Sequence, residues 1–236
     1  MIANKTINSI NDISQRQAAI FAGLGMLIIC ILAPFGFFYA IKSHIVSGDA
    51  AGTVSNIMAS ERLFRIGIIC LLINAVFDVV IAWGLYVLLA PVNKSFSLLS
   101  AWLRIVYSAI LVVALSNLFS SLHLISGADY LSAFEPNQLN AQVMIFIDTF
   151  YNVWNLGLVI FALHLFVLGY LIYKSVHFPK FLGIFLAIAG FGYFHDHIGK
   201  FIFPNYNITI SEFTFIGEFL LLILVIRKAI KGFEQK

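Results

Sequence analysis

Apolar residues in this chain run in long, nearly unbroken stretches separated by short polar ones. Six runs stand out, at about 17–41, 64–90, 99–126, 142–173, 180–202 and 209–227. A bilayer core of about 30 Å is crossed by about 20 mostly apolar helical residues. The pattern therefore predicts an all-α, polytopic membrane protein: a bundle of six transmembrane helices in a single transmembrane domain spanning 1–236. The stretches between runs, the longest being 42–63 and 127–141, leave no room for a second soluble domain. The punctuation agrees with helices. Ser14 and Gln17 form a capping-box pattern before the first run, Pro91 closes the second, Pro179 opens the fifth, and Pro34 is expected to kink the first. The first run is longer than the apolar region of a signal peptide and no small-x-small cleavage site follows, so it is expected to be kept as a helix.

Composition sharpens the class. The 236 residues are 61% hydrophobic and 11% charged, with a mean hydropathy of +0.97, against about 25% charged residues in soluble domains. The net charge of +3 reads as an orientation signal and not as a nucleic-acid footprint. One set of loop ends carries Lys5, Arg16, Lys94, Arg104, Lys174, Lys180, Arg227, Lys228, Lys231 and Lys236. The other carries Lys42, Arg62, Arg65 and Lys200, diluted by Asp49, Glu61, Asp129 and Glu135. By the positive-inside rule both termini are expected in the cytoplasm, with the chain a multi-pass protein of the cell inner (cytoplasmic) membrane. Cys30 and Cys70 fall inside apolar runs, where a thiol behaves as a small hydrophobe.

The stretch beginning at Glu61 contains Leu63-Phe-Arg65 and Leu85-Tyr-Val-Leu-Leu-Ala-Pro-Val-Asn93. Farther on come Leu163-His-Leu165 and Leu168-Gly-Tyr-Leu-Ile-Tyr-Lys174. This combination resembles the signature of a bacterial six-helix membrane family catalogued as "domain of unknown function 4386", over nearly the whole chain after the first run. The resemblance implies a topology and no activity. It maps Arg65, Asp78, Arg104, His164, Asp196 and Glu218 onto polar positions of the family pattern. His195 and His197 depart from that pattern, in which small or apolar residues flank the aspartate.

Ionisable residues inside hydrocarbon are costly and usually face a bundle interior or water, so they are the first candidates for function. At about 1.5 Å of rise per residue, Asp78 lies roughly 18 Å from the cytoplasmic end of its helix, and His164 and Glu218 roughly 14 Å from theirs. Asn74 stands one turn from Asp78 on the same face. These four form the candidate polar layer at mid-membrane. A second set, Arg65, His123, Asp148, Asn152, His195, Asp196 and His197, falls toward the outer ends and is expected to describe an outward-opening polar mouth. Asp148, Asn152 and Asn155 share one helical stripe. Arg65 is expected to pair with Glu61, and Arg104, counted from a helix start near 99, to reach back to the cytoplasmic headgroups.

The motif Gly192-Tyr-Phe-His-Asp-His-Ile-Gly199 could suggest zinc, but residues two apart on a helix point about 200° apart and do not chelate one ion. It reads as a polar helix end facing water. His164, His123 and His195 lie at different depths, which argues against a pair of haem ligands. No cofactor and no metal are expected. His-Glu-x-x-His, Gly-x-Ser-x-Gly and matching broken helices are all absent. The expected partners are the lipid bilayer and a small molecule or ion of unknown identity, with no nucleic acid. Three functional readings stay open: a small transporter, channel-like or sensor component; an intramembrane enzyme using a carboxylate with His; and a structural or accessory membrane protein.

Overall fold

A computed structural model describes residues 13–203 and 206–232; Lys5 and Lys236 of the charge count lie outside the described residues. The first helix, α1 (Gln15–Pro34), starts on the capping box. Ser14 Oγ accepts from the Gln17 backbone N–H at 3.2 Å, and Gln17 Oε1 accepts from the Ser14 N–H at 2.9 Å. Proline has no N–H to donate to the helix ladder. The chain answers Pro34 with a wide π turn, Phe35–Ile41, followed by a single 3-10 turn, Lys42–His44, in place of the simple kink expected there.

A short helix, α2 (Ala50–Ala59), interrupts the stretch before the second run; Asp49 Oδ1 accepts from the Gly52 N–H at 2.8 Å to cap it. Helix α3 (Glu61–Leu89) gives way at Pro91. Asn93 then accepts from the Phe96 N–H at 3.0 Å and starts α4 (Lys94–Leu124). A 3-10 turn, Asp129–Ala133, leads to α5 (Pro136–Lys174), and Pro179 precedes α6 (Lys180–Ile202). The last run does not form one helix. It divides at Phe215 into α7 (Ser211–Thr214) and α8 (Ile216–Lys231).

The segments Gln15–His44, Glu61–Leu89, Lys94–Leu124, Pro136–Lys174 and Lys180–Ile202 are each long and apolar enough to cross a membrane. Helix α8, with 16 residues, falls short of the usual span of about 20.

These helices close into a ring. In order, α1 packs on α3, α3 on α4, α4 on α5, α5 on α6, α6 on α8, and α8 returns to α1. Arg16 Nε donates to the Ala229 carbonyl at 3.1 Å across that last seam, so both described chain ends share one end of the bundle. The outside of the ring is apolar: Ile31, Val76, Trp102, Val113, Leu156 and Phe191 are exposed, while Asp78, Arg104 and His164 are buried. Such an inversion is the arrangement hydrocarbon favours, since apolar side chains outside cost nothing there and charges must be sheltered. Close helix approach is set by small residues. A Cβ on Gly169 of α5 would lie 2.7 Å from the Gly183 carbonyl oxygen of α6, so only glycine permits that contact.

Candidate functional site

On α4, Ser100, Arg104 and Ser108 recur every four residues and so share one face. That face is buried against α3 and α5. Ser108 Oγ donates to the Ala75 carbonyl of α3 at 2.6 Å. One turn along, Arg104 Nη2 donates to Asp78 Oδ1 at 2.6 Å, an ion pair whose side chains are only 9% and 6% exposed. The other arm of the guanidinium, Nη1, meets His164 Nε2 of α5 at 3.3 Å. A guanidinium can only donate. His164 therefore accepts at Nε2 and carries its proton at Nδ1, which donates to the Ser100 carbonyl at 2.9 Å with the Ser100 hydroxyl at 3.0 Å. The Phe161 ring lies 5.3 Å from the guanidinium carbon, a cation–π contact that closes the other side.

Glu218, at the start of α8, brings a second carboxyl into the electrostatic reach of Arg104 and Asp78, with the Tyr193 hydroxyl of α6 beside it. Tyr107 of α4 joins from the next turn after Arg104. Its hydroxyl accepts from Trp154 Nε1 at 3.4 Å, and its ring sits 4.9 Å from that of Phe161. Asn74 is buried one turn before Asp78, and neither its amide nitrogen nor its amide oxygen has a hydrogen-bond partner; the same holds for Arg104 Nε and Glu218 Oε1. One carboxyl thus pairs directly with the guanidinium, a second lies within its electrostatic reach, and several polar atoms around them lack protein partners.

Arg104 corrects the expectation from sequence. Helix α4 starts at Lys94, five residues before the apolar run suggested, because Asn93 caps it. Arg104 is then about 15 Å along the helix, too deep to reach headgroups, and it meets Asp78 instead. The signal was present in the four-residue spacing of Ser100, Arg104 and Ser108. Tyr107 and Tyr193, also missed, look in sequence like ordinary aromatic core.

The residues assigned to an outer mouth each have local surroundings of their own. Arg65 is half exposed and held by Glu61 at 2.6 Å; His123 is exposed and bonded to Tyr130; Asp148 and Asn152 are exposed. Asn155 parts from that stripe and meets His197 Nδ1 through its amide oxygen at 2.9 Å.

Asp196 does something different again. It is buried, and its two oxygens accept from the Ile210 and Ser211 N–H groups at 2.9 and 2.7 Å, pinning the chain entering α7 to α6. His195 leans on the Tyr206 hydroxyl at 2.6 Å. His197 lies buried on the other side, its ring stacked 6.0 Å from Tyr193. The motif is therefore not the water-facing helix end expected from sequence: α6 runs on to Ile202, Asp196 and His197 are buried, and the carboxylate caps the N–H groups that enter α7. No group of three or more His, Cys, Asp or Glu converges to hold a metal among the described residues.

Apolar helices long enough to cross a bilayer, closed around a buried ion pair, define a multi-pass all-α membrane protein. The chain belongs to the family described as "Domain of unknown function (DUF4386)", whose model matches residues 21–228. It is 37% identical over 145 residues to a chain from Archaeoglobus fulgidus described as an uncharacterized protein, covering 61% of this chain and 72% of that one. No solved structure matches the chain.

Proposed function

We propose that the chain is a six-span protein of the cytoplasmic membrane with both termini inside, and that the layer of Asp78, Arg104, His164 and Glu218 is the ion- or proton-exchanging element of a small transporter or sensor. One observation carries this: a second buried carboxyl, Glu218, lies within electrostatic reach of the Asp78–Arg104 pair, which holds the one guanidinium of the layer. Arg104 balances one carboxyl. The second is an excess negative charge in a poorly solvated place, which a proton or a small cation relieves. Whichever carboxyl is neutralised leaves Arg104 to the other, so proton uptake and the position of the guanidinium become linked. Arg104 ties α3, α4 and α5, and Glu218 belongs to α8; the linkage would therefore be felt between helices.

An enzyme reading finds less support. Both ring nitrogens of His164 are engaged, with Arg104 and Ser100, and no lone pair is left to act as a base. The accessory-protein reading draws on the closed Asp78–Arg104 contact, which can serve as structure alone. One experiment separates them. Asp78→Asn, Glu218→Gln and His164→Gln, singly and in pairs, are compared for unfolding stability against pH in detergent and in bilayers. Losses that are non-additive and change between about pH 5 and 8 are expected. Additive, pH-independent losses would reduce the layer to packing polarity and refute the exchange reading.

A further inference from the structure

The buried side-chain atoms that lack a hydrogen-bond partner among the described residues are Asn74 Nδ2, Asn74 Oδ1, Arg104 Nε and Glu218 Oε1, and no others. Asn74 is one turn from Asp78 on the same face of α3, Arg104 is bonded to Asp78, and the Glu218 carboxyl is in electrostatic reach of both. Asn74 is 3% exposed and Arg104 7%, so neither borrows its partners from bulk solvent. Native interiors rarely leave such groups unmatched, and a cluster of them points to a bound partner. Turning the Asn74 amide over does not help, since both of its ends are unmatched.

The donor and acceptor balance states what that partner is. Two of the four atoms donate, Nδ2 and Nε; two accept, Oδ1 and Oε1. A metal cation would suit the oxygens but would have two N–H groups aimed at it. An anion would suit the N–H groups and meet the carboxyl. A neutral molecule that donates twice and accepts twice satisfies all four, and water does so with its ordinary three or four hydrogen bonds. We infer that Asn74, Arg104 and Glu218 form an internal hydration site between α3, α4 and α8. Water there joins the Asp78–Arg104–His164 array to Glu218 and the Tyr193 hydroxyl, and Tyr193 stacks on His197 toward the far end of the bundle. This deepens the exchange reading above, because bound water is what carries a proton between two carboxyls that do not touch.

The test is X-ray radiolytic hydroxyl-radical labelling of the full chain in nanodiscs, where radicals born in bound water mark neighbouring side chains. Tyr107 and Phe161, 9% and 5% exposed, border the layer, whereas Phe64 and Phe150, 0% exposed, serve as dry controls. Labelling of Tyr107 and Phe161 well above the controls is expected, together with its loss in Asn74→Leu and a fall in the melting temperature of that variant. Tyr107 and Phe161 as unreactive as Phe64 and Phe150 would overturn the site from the wild-type protein alone. So would labelling unchanged in Asn74→Leu, which would put the water elsewhere, or a rise in melting temperature, the signature of relieving a dry orphan amide. Hydration is read here without reference to pH. A dry core with pH-coupled losses would sink this inference and spare the exchange reading; a wet core with additive losses would do the reverse.

Discussion

Neutralising one member of the Asp78–Arg104 pair takes from the other its direct ionic partner inside the ring. Taking about 4 Å between charge centres and an effective dielectric of about 20, the attraction lost is about 4 kcal/mol. That agrees with the about 3–5 kcal/mol found when one partner of a buried pair is removed. An interhelical hydrogen bond in a membrane protein averages only about 0.6 kcal/mol, so the size of the loss distinguishes a sheltered charge pair from ordinary polar contact. Asp78→Asn is therefore expected to cost several kcal/mol, because Arg104 loses its direct carboxylate partner and keeps His164 and the Glu218 charge it does not touch. Arg104→Gln is expected to cost at least as much, because Asp78 and Glu218 then face each other without a cation. The double variant removes the pair, leaves Glu218 as the remaining carboxyl of the layer, and is expected to recover part of the stability, giving a coupling of about 2–3 kcal/mol. The assay is reversible unfolding of the four proteins of the cycle in bilayers by steric trapping, with detergent melting as a check. Single losses below about 1 kcal/mol that add in the double variant would refute the buried pair, since they would mean both charges reach water.

Three further outcomes are expected. Asp196→Ala removes the acceptor of two backbone N–H groups and should cost about 1–3 kcal/mol, with faster hydrogen exchange at Ile210 and Ser211; protection unchanged at those amides would count against the tether. Gly217→Ala would place a Cβ 2.6 Å from the Phe185 carbonyl oxygen and should lose about 1–3 kcal/mol as α8 is pushed off α6; equal melting temperatures would show that the seam is loose. In a variant lacking Cys30 and Cys70, cysteines introduced within 44–58 should react with an impermeant reagent added to intact cells, whereas one beside Lys94 should not, and the opposite pattern would invert the proposed orientation.

The class of fold could be read from hydropathy because lipid demands long apolar helices and little else looks like them. Boundaries were less legible where polar and apolar residues mix. Lys94-Ser-Phe-Ser sits before the apolar run, yet Asn93 caps the helix there, and misplacing that start moved Arg104 out of the layer it holds together. Helix α2 escaped notice because ten residues with a few apolar positions carry no span signal. The break at Phe215 was hidden inside a run apolar on both sides of it. Depth counting gave Asp78, His164 and Glu218 similar heights, but height says nothing of azimuth. The same counting grouped Arg65, His123, Asp148 and Asn152 by height alone. Only packing fixes azimuth, and a single sequence does not carry it.

The turn between α3 and α4 is short: Ala90–Asn93 is all that separates Leu89 from Lys94. During synthesis the two helices therefore emerge as a hairpin, and the carboxyl of Asp78 has the guanidinium of Arg104 at hand from the moment both are made. A helix delivered singly to the bilayer would have to carry a bare charge through it, at about 2.5–3.5 kcal/mol for each such residue near the centre. A hairpin carries a neutral pair instead. Glu218 has no such companion on a neighbouring helix in sequence, and it arrives last, with the helix that closes the ring between α6 and α1. Until then, the Asp78–Arg104 pair stands in a bundle open on one side; the second carboxyl of the layer enters only when the wall is complete.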